Sequence, residues 1–322
     1  MLRHNAARFG MLEHNRFACW MLEACAAHGY AERPKVPANR QNLRPTGVIG
    51  CVGINTMDSA PSKELHSQVA IVTGSSSGIG RAIALELAAA GAAVVVHGRE
   101  HREAAQRVAE EIRAGGGEAE VILADLSHDA GRGELVELTW QRYQRVDILV
   151  NNAGADILTG PSAHWPFERK LQALWELDVT ASIELSREIG GRMKAAGTGV
   201  ILNIGWDGAE RGMPGDSGQL FAASKGAVMG FSRSLAQSLA PAVRVNCLAP
   251  GWIQTAWGLQ ASESWQQRAK RESLLQRWGT PKDIARAARF LVSPAAGFIN
   301  GQTIAVNGGY SHHAEFGMRN SE

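Results

Sequence analysis

The chain holds 322 residues with 45% hydrophobic and 20% charged side chains, the composition of a globular protein able to bury a sizeable core. A net charge of +2 argues against a polyanion trap and no nucleic-acid partner is expected, while the longest apolar run, 83–96, is interrupted by Glu86, which excludes a membrane-spanning helix. The four cysteines, Cys19, Cys25, Cys51 and Cys247, form no CxxC pair, so neither a metal site nor a disulfide framework is expected and a reducing, cytoplasmic compartment fits.

Residues 1–57 differ from the rest. They carry seven Arg or Lys against three acids, a local balance of +4 that leaves −2 on residues 58–322. Pro34, Pro37, Pro45, Gly47, Gly50 and Gly53 punctuate them, and the short apolar stretch 17–27 is interrupted by Glu23. A secretory signal would need a clean apolar core near the start and a small-residue cleavage site, and neither is present. The segment is expected to be a disordered tail, or to precede a native start at Met57 that leaves 266 residues. An organelle-type presequence, suggested by the scarcity of acids, is the alternative.

From Gln68 onward, short β-branched runs alternate with amphipathic stretches. The runs are 69–73, 93–97, 121–124, 146–151, 200–204, 243–248 and 303–306. The alternation predicts βαβ units and a doubly wound parallel sheet, one α/β domain over 58–322. The strands are almost continuously apolar, as expected when helices cover both faces.

The first run leads into Thr73-Gly74-Ser75-Ser76-Ser77-Gly78-Ile79-Gly80, and a helix with Ile83 and Leu87 on its apolar face follows, with Gly91 as its expected C-terminal stop. Glycines there let the backbone turn sharply and approach a pyrophosphate seated on helix N-terminal amides. Strand, glycine-rich turn and helix together predict a dinucleotide site formed by Gly74, Ser76, Gly78, Ile79 and Gly80. At the end of the second run, where a carboxylate would normally hold the ribose hydroxyls of NAD, the chain reads His97-Gly98-Arg99-Glu100. The charge and fork of Arg99 suit a 2′-phosphate, so NADP is favoured over NAD. The alternative leaves Arg99 solvated with Glu100 facing the ribose.

These pieces, with Asp125-Leu126, Asn151-Asn152-Ala153-Gly154, Phe221-Ala222-Ala223-Ser224-Lys225, Val245-Asn246, Pro250-Gly251, Thr255, the stretch 277–284 and Asn307-Gly308-Gly309, stand in an order that resembles the short-chain dehydrogenase/reductase family over residues 68–310. The resemblance implies a Rossmann-like fold with a short substrate lid. It implies that Asp125 and Leu126 lie near the adenine and that Asn152, Ala153 and Gly154 pack the sheet and touch the cofactor. It further implies that Pro250, Gly251 and Thr255 hold the nicotinamide and that Lys225 binds its ribose.

The chemistry half of that pattern is altered. The family's proton comes from the Tyr of a Tyr-x-x-x-Lys pair, and here that position is Phe221, which has no proton to give. The family's Ser, which steadies the substrate oxygen, falls within Asn203-Ile204-Gly205-Trp206, and its relay Asn falls at Asp178. Only Lys225 survives of the four, although Ser217, one helical turn before Phe221, remains a candidate shifted serine. Of the three tyrosines, Tyr30, Tyr143 and Tyr310, the last could act only if folded over a pocket. A replacement donor is sought among Asp178, Asp207 and Asp216, with Trp206 and Phe221 as the apolar wall that would keep a carboxyl protonated. The alternative reads these carboxylates as loop anions or Lys225 partners.

Trp206, Trp252, Trp257 and Trp265 border the expected substrate mouth and suggest an apolar or aromatic ligand, or else packing. Arg268, Lys270, Arg271 and Arg277 either meet an anionic substrate tail or form a solvated face. A long helix over 168–189 and another over 221–239 resemble the family's oligomer surfaces and imply a homotetramer or dimer. Two functions remain: an NADP-dependent oxidoreductase reducing a carbonyl, C=C or C=N group with a non-standard donor, or a non-catalytic NADP(H)-binding sensor or oligomer subunit.

Overall fold

The β-branched runs become seven strands in the computed structural model, which describes residues 63–310. The expectations for residues 1–57 lie outside the described residues. The strands are β1 Val69–Val72, β2 Ala93–Gly98, β3 Ala119–Leu123, β4 Ile148–Asn151, β5 Gly199–Ile204, β6 Val243–Pro250 and β7 Thr303–Val306. They form one sheet in the order β3-β2-β1-β4-β5-β6-β7, parallel throughout.

The helices divide between the two faces because strand side chains alternate. Ala70 and Val72 pack with α1 (Gly78–Ala89), α2 (Arg102–Ala114) and α9 (Pro281–Val292) through Ile83, Val108 and Ile284. Ile71 packs on the opposite face with α3 (Asp129–Tyr143), α5 (Ala181–Ala196) and α6 (Asp216–Leu239) through Leu135, Leu185 and Leu235. This is the doubly wound, Rossmann-like single domain expected. Its strand order reverses between β1 and β4, which opens the crevice where such sheets take ligands.

Helix ends follow local chemistry. Gly91, at φ 102°, follows the C-cap of α1 and takes the left-handed conformation that ends a helix. Thr280 and Asp283 exchange hydrogen bonds in a capping box that starts α9.

Two expectations for the helices change. The helix expected over 168–189 is α4 (Phe167–Leu174) joined to α5 through a π-helical turn at Trp175–Thr180. The helix expected from Phe221 starts five residues earlier, so Ser217, Phe221 and Lys225 follow one another at four-residue spacing along α6. Beyond β6, α7 (Ala256–Gln260) and α8 (Glu263–Glu272) occupy the stretch where the short lid is expected. Among the described residues no helix is long and apolar enough to cross a membrane.

Candidate active site

The glycine-rich turn between β1 and α1 is held at several points. Thr73 Oγ1 accepts from the backbone N–H groups of Asn152 and Ala153 at 2.9 Å each. Asn152 Nδ2 donates back to the carbonyls of Thr73 at 2.9 Å and Gly74 at 3.3 Å. Gly74 sits at φ 64°, and a Cβ there would lie 2.9 Å from Ala153 Cα. A Cβ on Gly80 would overlap the Gly74 carbonyl. Only glycine fits at both positions, and the turn is pressed against the Asn152–Gly154 segment.

This geometry suits a pyrophosphate. The first turn of α1 contains no acidic residue, and Ser77 makes no side-chain cap, so its leading amides are left for an anion. Ser76 faces Gly98 at the end of β2, with its Oγ 3.6 Å from where a Gly98 Cβ would stand. Ile79 packs on the core beneath. A Cβ on Gly78 would come within 4.0 Å of Thr255 Cγ2, so the turn after β6 reaches across to the turn after β1.

Arg99 and Glu100 pair at 3.1 Å with both side chains more than half exposed, so the guanidinium stands in solvent at the end of β2. Asp125, after β3, accepts from Ser127 N at 3.0 Å and Ser127 Oγ at 2.6 Å. Partial burial opposes its charge, but the Ser127 bonds, with Arg99 and His128 nearby, outweigh this and hold the carboxyl below its usual range. Leu126 is buried beside it.

Lys225 Nζ meets Asp178 Oδ2 at 2.8 Å, with side chains 13% and 2% exposed. Its other carboxylate oxygen accepts Ala155 N–H at 2.7 Å, and the π-helical turn puts Asp178 there. Asp207 is also engaged: its Oδ2 accepts from Arg211 and from Asn307 Nδ2, each at 2.9 Å. A Cβ on Gly251 would lie 3.4 Å from that same oxygen, so Asp207 ties the loop after β5 to the turn after Pro250. Trp206 does meet Phe221 edge to face, with ring centroids 6.3 Å apart. The wall therefore forms, and two of the carboxylates sought as donors have partners. Asp178 and Asp207 use their oxygens to accept bonds from cationic and amide partners, and Asp216 is exposed at the start of α6.

The lid tryptophans pack on one another. Trp252 lies 6.2, 5.4 and 6.0 Å from Trp257, Trp265 and Trp278. Arg268 stands 5.0 Å over Trp265 and pairs with Glu272, while Arg277 pairs with Asp283. Of the two readings for Trp252, Trp257 and Trp265, their mutual contacts match packing: they form a partly buried aromatic cluster with Trp278, and Arg268 and Arg277 have carboxylate partners. Tyr310 does fold back: it bridges to Ser273, and Arg211 stacks over its ring at 3.7 Å. Sequence reasoning gave no role to His97, which touches the glycine-rich turn. A polar residue closing an apolar strand was the signal available.

A family model described as "Enoyl-(Acyl carrier protein) reductase" matches residues 74–311. The chain is 34% identical to "Short-chain dehydrogenase/reductase SDRA" of Arabidopsis thaliana, covering 79% of this chain and 98% of that one. The chain belongs to the short-chain dehydrogenase/reductase family. Within that family it is 37% identical to a 3-oxoacyl-[acyl-carrier-protein] reductase of Synechocystis, covering 76% of this chain and 97% of that protein. It also superposes with TM-score 0.71 on a solved 7α-hydroxysteroid dehydrogenase complexed with NADH and 7-oxoglycochenodeoxycholic acid. That pair is 34% identical, covering 79% and 98% of the two chains. In this short-chain dehydrogenase/reductase, Phe221 stands four residues before Lys225 on α6, and Trp206 follows the end of β5.

Proposed function

We propose that the chain is an NADP-dependent oxidoreductase that reduces an electron-poor double bond, C=C or C=N, in preference to a ketone. The observation that carries this reading is the pairing of an intact dinucleotide cradle with a helix face that bears Phe221 in place of a phenol. NADPH, when bound, supplies a hydride. Gly74, Ser76, Gly78, Ile79 and Gly80 would receive its pyrophosphate, and the glycine cradle and uncapped α1 terminus fit that group. Arg99 would meet the 2′-phosphate, Asp125 and Leu126 the adenine, and Asn152, Ala153 and Gly154 would wall the crevice. Pro250, Gly251 and Thr255 would border the nicotinamide, and Lys225 would hold its ribose.

The chain's own residues then set the substrate class. Ketone reduction needs a proton delivered to oxygen, and a positioned general acid contributes about 10²–10⁴ in rate. Phe221 and Trp206 offer no acidic proton, and Asp178 positions Lys225 instead of donating. A conjugated C=C can take its proton at carbon from water, and a charged C=N needs none. The apolar Trp206–Phe221 wall favours an apolar or aromatic substrate. By its cysteine usage we place the protein in the cytoplasm, and by resemblance we assign it as a homotetramer or dimer.

The engaged state of Asp178 and Asp207 supports a second reading, a non-catalytic NADP(H)-binding subunit. One paired assay separates the two. NADPH binding is measured by fluorescence titration, and NADPH oxidation is then followed against ketone, enone and iminium panels. The proposal expects binding and turnover with enones or iminium ions; binding with no turnover on any panel would establish the second reading.

A further inference from the structure

His97 closes β2, is 3% exposed, and has no part in the reading above. Its ring spans two loops. Nδ1 accepts the Gly74 N–H at 3.0 Å, and Nε2 lies 3.0 Å from the Ala124 carbonyl. A carbonyl only accepts, so Nε2 carries the proton and the ring is the neutral Nε2–H tautomer. The backbone repeats the tie: Ser75 N donates to the His97 carbonyl and His97 N donates to Ser75 Oγ, both at 2.9 Å. Asn152 holds the Gly74 carbonyl from the other side. The Gly74 residue is thus fixed at both its N–H and its C=O, and Ala124 leads directly into Asp125.

We propose that His97 is a positioning residue for the dinucleotide: its neutral imidazole struts the glycine-rich turn against the loop after β3 and sets the spacing between the pyrophosphate cradle and the adenine-side Asp125. The inference rests on the dinucleotide reading above. It follows from donor and acceptor matching. An imidazolium would turn a second donor on the Gly74 N–H, so only the neutral ring spans the gap. The groups facing it are the Gly74 N–H and Ser75 hydroxyl from the turn, and the Ala124 carbonyl and Asp125 carboxylate from the β3 loop; Arg99 and Glu100, just beyond its own strand, are exposed. Burial depresses the ring's pKa to about 4, against the opposing pull of the Ala124 carbonyl and Asp125, so the strut persists through the neutral range.

Calorimetric titration of NADP⁺ at pH 7 tests this with wild type, His97→Phe, His97→Asn and His97→Gln, alongside ¹⁵N-histidine NMR of the wild type. Asn places an acceptor near the Nδ1 position, whereas Gln places a donor near Nε2. We expect His97→Phe to lose about tenfold or more in affinity, from an unsatisfied Gly74 N–H, while melting cooperatively. His97→Asn recovers most of the affinity and His97→Gln less. NMR shows a neutral Nε2–H ring at pH 6. Wild-type affinity in His97→Phe or His97→Gln, or an Nδ1–H or charged ring at pH 6, would overturn the proposal. If His97→Phe does not fold, the Asn and Gln variants and the NMR tautomer decide it. Wild type that binds neither coenzyme would overturn the dinucleotide reading itself.

Discussion

Asp178 and Lys225 are a buried pair, and removing one partner strands the other. Asp178→Ala leaves the ammonium uncompensated and the Ala155 N–H without its acceptor, for a cost of about 3 kcal/mol in urea unfolding. Asp178→Asn keeps an acceptor for Ala155 and costs less. Phe221→Tyr places a phenol on the face of α6 that carries Lys225, and ketone turnover should rise about tenfold or more. Unchanged ketone rates in a folded Phe221→Tyr protein would remove Phe221 as the reason for the substrate preference. His97 adds a pH effect. Its unfolded pKa near 6.5 and folded value near 4 mean that the unfolded chain binds the extra proton between them, so stability is full above pH 6.5 and falls as pH drops toward 4. The loss is about 3 kcal/mol, read by denaturant melts, and His97→Asn should flatten it. The glycine-rich turn and the four-residue spacing of Phe221 and Lys225 were legible in the sequence because ordered motifs fixed their frame. The partners were not: Asp207 meets Asn307, one hundred residues away, and no local pattern encodes that contact.

At the scale of elements, all seven strands were readable because β-branched apolar runs between turn residues satisfy a sheet covered on both faces. The π-helical turn was not readable, since Trp175–Thr180 sits inside a continuous helical pattern, and its Asp178 meets the Gly154–Ala155 backbone, distant in sequence. The start of α6 was also missed, because Gly215 and Gly218 read as loop while Asp216 opens the helix. Two short helices fill the stretch expected to be a lid, but its tryptophans face one another, and periodicity does not tell an aromatic cluster from a ligand platform. The capping box of α9 gives a direct test of local chemistry. Thr280→Ala removes the acceptor of the Asp283 N–H and should lower stability by about 1 kcal/mol in urea melts.

Trp175 is 48% exposed on the α4–α5 helix that resembles a subunit surface, an apolar area that pairing would cover. Analytical ultracentrifugation should find a dimer or tetramer at micromolar concentration, and Trp175→Arg should shift it toward smaller species. A wild-type monomer would refute the assembly. Every role assigned above depends on this sheet receiving a dinucleotide through the turn after β1. Isothermal titration of the purified protein with NADP⁺ and NAD⁺ tests it most directly. Saturable binding of both is expected, tighter for NADP⁺, with the difference lost in Arg99→Ala; no binding heat and no fluorescence change with either coenzyme would refute a dinucleotide site there.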